Sequence, residues 1–167
     1  MRPSPSGEGG APAPGGASSW GSVKPDLQFS VLCDDVRRED NGKLMLIGLF
    51  EMIAGAQYPM TYPGLAVVNR WCNGQGSYRQ KVRLVDSDNR VVVETADSPV
   101  ELADMHVNLT AVSVMHNVPV PRPGRYWVEV LLDGDLKQRY ALLAMQLGPP
   151  QAPPAGPGAP PWGAGKR

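Results

Sequence analysis

Residues 27–52 read LQFSVLCDDVRREDNGKLMLIGLFEM. Two apolar runs flank a charged segment that ends in Asn41-Gly42. An Asn-Gly pair between apolar runs is the strongest short-range signal for a β-hairpin. Strand pairing therefore opens the fold, with Leu27 to Cys33 and Lys43 to Met52 as the first two strands.

The theme continues outward from that hairpin. Ala54 to Pro63 reads as a loop. Leu65 to Cys72 reads as a strand closed by Asn73-Gly74. From Ser77 to Val85 the chain alternates, with Tyr78, Val82 and Leu84 on one side and Arg79, Lys81 and Arg83 on the other. A period of two with one charged face marks an antiparallel strand with one wet face. Val91 to Thr95 is short and β-branched, and Met105 to Val114 alternates again. Residues 97–105 are expected to make one helical turn. A strand from Gly124 to Leu132 is opened by Pro123-Gly124 and closed by Asp133-Gly134, a pair suited to the type I′ turn. It leads into a last strand, Leu136 to Leu147. Tyr126, Val128, Val130 and Leu132 are expected to face the core, with Trp127 and Glu129 outward.

Seven to eight short strands at regular spacing predict an all-β, antiparallel β-sandwich. A tyrosine just after Pro-Gly on the penultimate strand suits the tyrosine corner of immunoglobulin-like architectures. Residues 1–22 and 149–167 are rich in Pro, Gly, Ser and Ala. They are expected to be disordered tails, because they cannot bury enough apolar surface to offset the entropy of ordering. The organisation is then a tail over 1–22, a domain over 23–148 and a tail over 149–167.

The combination of Leu32-Cys33-Asp34-Asp35-Val36-Arg37, Asn41-Gly42-Lys43, Ile47-Gly48-Leu49-Phe50 and Pro123-Gly124-Arg125-Tyr126 resembles a family of small bacterial proteins of unknown function. The resemblance covers about residues 27–147. It implies a compact all-β domain in the bacterial cytoplasm and carries over no activity or site residue.

The chain has 16 basic and 16 acidic residues, and 27–148 holds 12 basic against 14 acidic. A dedicated nucleic-acid binder is usually clearly basic, so that class is disfavoured. No apolar run reaches the length of a membrane span, and MRPSPSGEGG has no apolar core of a secretory signal. Cys33 and Cys72 sit in apolar runs and are expected to be buried, reduced thiols of a cytoplasmic protein.

Several residues invite a chemical reading. Asp34, Asp35, Arg37, Arg38, Glu39 and Asp40 form the densest charge cluster. A divalent cation wants converging carboxylates, but Arg37 and Arg38 oppose one, so a solvated connection with local ion pairs is preferred. His106, His116, Cys33 and Cys72 lack the close-spaced ligand pairs of a zinc site, so no metal and no cofactor is expected. His106 with Asp104 supports an alternative reading as a small hydrolase. Arg79, Lys81 and Arg83, with Arg70, could form an anion-binding stripe. Trp127 could stack on a sugar, as could Trp71, Tyr58 and Tyr62, which gives a carbohydrate-binding alternative. The preferred function is a non-catalytic binding or interaction module. Its candidate contact residues are Trp127, Arg79, Lys81 and Arg83. Its partner is another protein, met through the sandwich face or through Trp20 and Trp162 in the tails.

Overall fold

A computed structural model describes residues 22–148 of the chain. The tails expected over 1–22 and 149–167 lie outside these residues, Ser22 excepted. Ten strands follow in order: β1 (Asp26–Arg38), β2 (Leu44–Leu49), β3 (Met52–Gly55), β4 (Met60–Cys72), β5 (Gly76–Val85), β6 (Val91–Glu94), β7 (Ser98–Leu102), β8 (Leu109–Val120), β9 (Gly124–Leu132) and β10 (Asp135–Gln146). They form two sheets. One has the order β2-β1-β4-β8; the other has the order β3-β10-β9-β5-β6, with β7 also paired to β5. The all-β sandwich is as expected. Neighbours are antiparallel except β3 and β10, which run parallel.

The count of ten corrects the expected seven to eight, and the two additions are β3 and β7. Gly48 at φ +66 ends the regular part of β2, and Phe50-Glu51 carries the chain into the other sheet, where Met52–Gly55 pairs with β10. Residues 98–102 are a strand, not a helical turn: Val100 and Leu102 are buried while Glu101 is exposed. Two buried positions are too few to separate period two from period 3.6. Three boundaries also move. The expected loop from Ala54 to Pro63 shrinks to residues 56–59, because β4 begins at Met60 rather than Leu65, where Met60 to Tyr62 pair with Val120 to Val118 of β8. β1 continues through the charged segment to Arg38 because β2 pairs with it from Cys33 onward. β8 begins at Leu109 and passes through Pro119, which an edge strand tolerates.

The turn chemistry holds. Gly42 has φ +86, and Asp133 and Gly134 have φ +49 and +84, both positive as a type I′ turn requires. The Tyr126 hydroxyl donates to the Arg122 carbonyl at 2.8 Å and accepts from the Arg122 N–H at 3.3 Å, closing the corner onto backbone.

The core lies between the sheets in two clusters. Leu32, Leu65, Val67 and Met115 meet Val82, Leu84, Tyr126, Val128 and Leu142 in one. Trp71 meets Tyr78, Val100, Val130 and Leu132 in the other. A buried polar group spans the sheets. Gln80 of β5 accepts from Trp71 Nε1 at 2.6 Å and from Asn69 Nδ2 at 3.1 Å, and donates to Ser113 Oγ at 3.0 Å. Cys33 and Cys72 are both buried and unbridged.

Candidate functional site

Alternation along β5 puts Arg79, Lys81 and Arg83 on the outer face of the six-stranded sheet. Register with β9 adds Trp127 to that face: Lys81 lies opposite Leu131, Arg83 opposite Glu129 and Val85 opposite Trp127. The four expected contact residues therefore share a surface, on which the side chains of Lys81, Arg83 and Trp127 already have partners. Arg83 Nε bonds Glu129 Oε2 at 2.6 Å, and Arg139 Nε lies 3.5 Å from Oε1 of the same carboxylate. Lys81 Nζ lies 3.7 Å from Glu94 and 3.5 Å from Asp97. The backbone N–H of Arg79 donates to Asp133 at 2.8 Å. The guanidinium carbons of Arg125 and Arg139 stand 5.6 and 4.7 Å from the centroid of the Trp127 ring, cation–π distances. A shallow cleft of about 470 Å³ follows the stripe, lined by three basic side chains and by Glu94, Asp97 and Asp133. This surface is charge-compensated, and the indole is half-buried and flanked by two guanidinium groups. Glu129 was expected outward as an ordinary surface side chain. It does face outward, yet it is only 5% exposed, because Arg83 and Arg139 cover it.

The other expected groups are dispersed. Asp104 accepts from the backbone N–H of His106 at 2.7 Å in an exposed turn. In the 34–40 cluster, Asp35 accepts from Val36 N and from Arg37 Nε at 3.1 Å, and Asn41 donates to Glu39 at 2.7 Å. These are the local pairs the charge pattern predicts. Among the described residues no three His, Cys, Asp or Glu gather to hold a metal. His116 lines a cleft of about 640 Å³ on the outer face of the four-stranded sheet, with Val114 and Ala66 also on its lining and Asp34, Tyr62 and Arg38 around it. Tyr62 donates to Asp34 at 3.0 Å. Burial, and then that carboxylate, hold the phenol above its ordinary pKa.

A different surface is left incomplete by the topology. β2 pairs with β1 only from Cys33 to Arg38, so β1 before Cys33 has β4 on one side and no strand on the other. β3 pairs with β10 only from Leu143 to Gln146, so β10 before Leu143 has β9 on one side and no strand on the other. The two unpartnered edges border a groove of about 740 Å³, lined by Ser30 to Leu32, by Leu49 to Met52 at the crossover, and by Gln138, Tyr140 and Ala141. Ser30 Oγ and the Tyr140 hydroxyl meet at 3.1 Å. Burial raises the Tyr140 pKa, and the Ser30 bond partly opposes the rise. Sequence reading placed every one of these residues in or beside a strand. It missed the groove because which strands end up at a sheet edge is decided by pairing partners far along the chain.

Among the described residues no helix is long and apolar enough to cross a membrane. No curated protein matches the chain. Solved structures it is similar to include the Pseudomonas fluorescens alkylpurine DNA glycosylase AlkC bound to DNA containing an abasic site analog. That match has 10% identity and a TM-score of 0.46, over 74% of this chain and 31% of that one. Another is a β-glucosidase from Listeria innocua in complex with isofagomine, at 13% identity and a TM-score of 0.40, over 72% of this chain and 16% of that one. The chain thus spans less than a third of either protein, and neither likeness bears on its function. The family model of DUF6941, a family of unknown function, matches residues 28–145, from early in β1 almost to the end of β10, and the chain belongs to that family.

Proposed function

We propose that the domain is a non-catalytic interaction module that takes an extended polypeptide segment into the groove between β1 and β10. One observation carries this reading: two strands that are each unpartnered on one edge border the same groove. A strand edge offers a row of backbone donors and acceptors, and an incoming extended segment satisfies them while its alternate side chains fill pockets. Leu32, Phe50 and Met52 supply apolar wall, and Ser30, Gln138 and Tyr140 supply polar contacts. The ligand is then an uncharged or mildly apolar stretch of another protein. The family's lack of an assigned activity is compatible with such a role.

A displayed library of random peptides tests this. Selected binders should slow hydrogen exchange at the backbone amides of residues 29–32 or 138–141. Ala141→Arg, a substitution on the groove lining at an exposed position, should weaken them at least tenfold. Binders that protect other segments, or none emerging from the library, would sink the proposal.

A further inference from the structure

We infer that the hairpin arm, residues 35–47, is a hinged flap that swings off the sandwich as a unit. Asp34 and Gly48 are its hinge, and the hydrogen bond from Tyr62 to Asp34 locks that hinge. The flap opens whether or not the groove takes a peptide.

β1 changes partners at one residue. Up to Cys33 it pairs with β4, the last pair being Cys33 with Ala66; from Cys33 to Arg38 it pairs with β2. β2 ends its sheet and has β1 as its one neighbour. Between Met60 and Leu65, β4 pairs with β8 alone. Two strands that share a ladder further along thus part here. The cleft of about 640 Å³ lies between them, with Asp34, Val36 and Leu44 on one wall and Tyr62 and Ala66 on the other.

The ladder inside the arm breaks at the same place. Cys33 pairs with Leu49 and Asp35 with Ile47, but Asp34 and Gly48 between them do not pair. Glu39 N donates to Lys43 O on one side of the break, and Phe50 N donates to Leu32 O on the other. Hydrogen-bonded pairs alternate along an antiparallel ladder, so these two bonds are out of phase. Gly48 has φ +66, where glycine turns at little steric cost. Hinges are a few such residues at the ends of elements.

Beyond the hinge the arm is lightly held. The side chains of Asp35, Arg37, Arg38, Glu39 and Asn41 bond within the arm. Among the described residues, the side-chain bond that ties residues 34–48 to another strand is that of Tyr62 to Asp34, at 3.0 Å. It pins the carboxyl group that lies over Gly48. Apolar contact supplies the rest, with Val36 and Leu46 packed on Cys33, Ala66 and Val68. An element with few buried contacts opens at a lower free energy than the core beside it.

The arm in turn seals what lies under it. Cys33 has no exposed surface, and its thiol donates to the Ala66 carbonyl at 3.8 Å. Burial, and then Asp34 and Asp35, raise the pKa of that thiol, while the backbone N–H groups of Ile47 and Asp35 partly oppose the rise. The backbone of the arm therefore stands beside the sulfur. Swinging the arm away uncovers Cys33, Ala66 and Val68 and widens access to the unpaired edge of β4.

Thiol labelling tests this in the full chain with Cys72→Ala, which leaves Cys33 as the reporter. The rate should be slow and nearly independent of denaturant well below the unfolding transition, because local opening exposes little surface. Tyr62→Phe removes the lock and keeps the ring. It should raise that rate about fivefold, the worth of one hydrogen bond. Tyr58→Phe, which removes a hydroxyl bonded to the Met145 carbonyl away from the arm, should leave the rate within about twofold of the parent's. If Cys72→Ala does not fold, peptide mass analysis of the unaltered chain assigns the rate to Cys33. Labelling that rises steeply with denaturant from the start would overturn the flap, since Cys33 would then be reached by global unfolding alone. So would labelling as fast as in the unfolded chain, or an equal response to Tyr62→Phe and Tyr58→Phe.

Discussion

The two flanks of this sandwich handle polar groups in opposite ways. On the β5–β9 flank both β5 and β9 have strands on each side and the central charges have partners: Arg83 and Arg139 share the carboxylate of Glu129, and Lys81 sits between Glu94 and Asp97. On the β1–β2–β10 flank whole lengths of backbone edge have no strand beside them. The difference teaches that conspicuous side chains and open backbone valences fall on different parts of one sandwich. Basic residues and a tryptophan drew the eye to the first flank, where they hold structure together. The incomplete flank is built from ordinary strand residues, and its open valences are in the backbone.

The sharpest way to break this comparison is to remove its most closed element. Gln80 is buried at the join of the two sheets and serves Trp71, Asn69 and Ser113 at once. Gln80→Ala leaves the indole N–H and the Ser113 hydroxyl without that partner and opens a cavity. It should lower stability by about 3 kcal/mol in denaturant titration, the sum of a lost partner and residual void. A loss under about 1 kcal/mol would show that water replaces the amide and that the join is not closed. Val130→Ala tests the apolar side of the same join. Val130 has no exposed surface, so the change should cost about 1–3 kcal/mol.

Glu129→Ala is the next step down and the one on which sequence and structure disagree. An outward side chain on an alternating strand suggests an ordinary surface change, worth less than about 0.5 kcal/mol. The structure covers this carboxylate with two guanidinium groups, and its removal leaves Arg83 half-buried without its acid. A loss of about 1–2 kcal/mol is expected, in the range for a hydrogen bond to a charged group. Glu129→Gln, which keeps shape and one acceptor, should recover part of it. Lys81→Ala, on the same face but with looser and more exposed pairs, should change stability by less than about 0.5 kcal/mol.

What was legible in the sequence follows from the range of each signal. Asp133-Gly134, Asn41-Gly42 and the alternation of Ser77 to Val85 are local, and each gave its turn or strand correctly. The tyrosine corner was legible too, because Tyr126 reaches a carbonyl only four residues away. Tyr126→Phe should cost about 1 kcal/mol, the usual net value of one hydrogen bond. The burial of Glu129 was not legible, since Arg83 lies 46 residues earlier and only sheet register brings the two together. The groove between β1 and β10 was hidden for the same reason: Ser30 and Tyr140 are 110 residues apart. β3 and β7 were too short for any period to show.

The smallest expected effect bears hardest on the open flank. Ile47 is an apolar side chain on a strand, so the sequence alone gives no reason to treat it differently from Val130. The structure does: Ile47 is 36% exposed on the free side of the hairpin arm, while its neighbours Leu46 and Val36 pack onto Cys33, Ala66 and Val68 beneath. Ile47→Lys should therefore shift the unfolding free energy by less than about 0.5 kcal/mol. Leu46→Lys, one residue away and facing the apolar cluster, should cost several times more, because a charge would have to leave water. Equal losses at the two positions would mean that both faces of the arm are buried in the monomer, and the open edge would then be part of the fold. Unequal losses in the expected order would show that one face of the arm carries its packing and that the fold does not need Ile47.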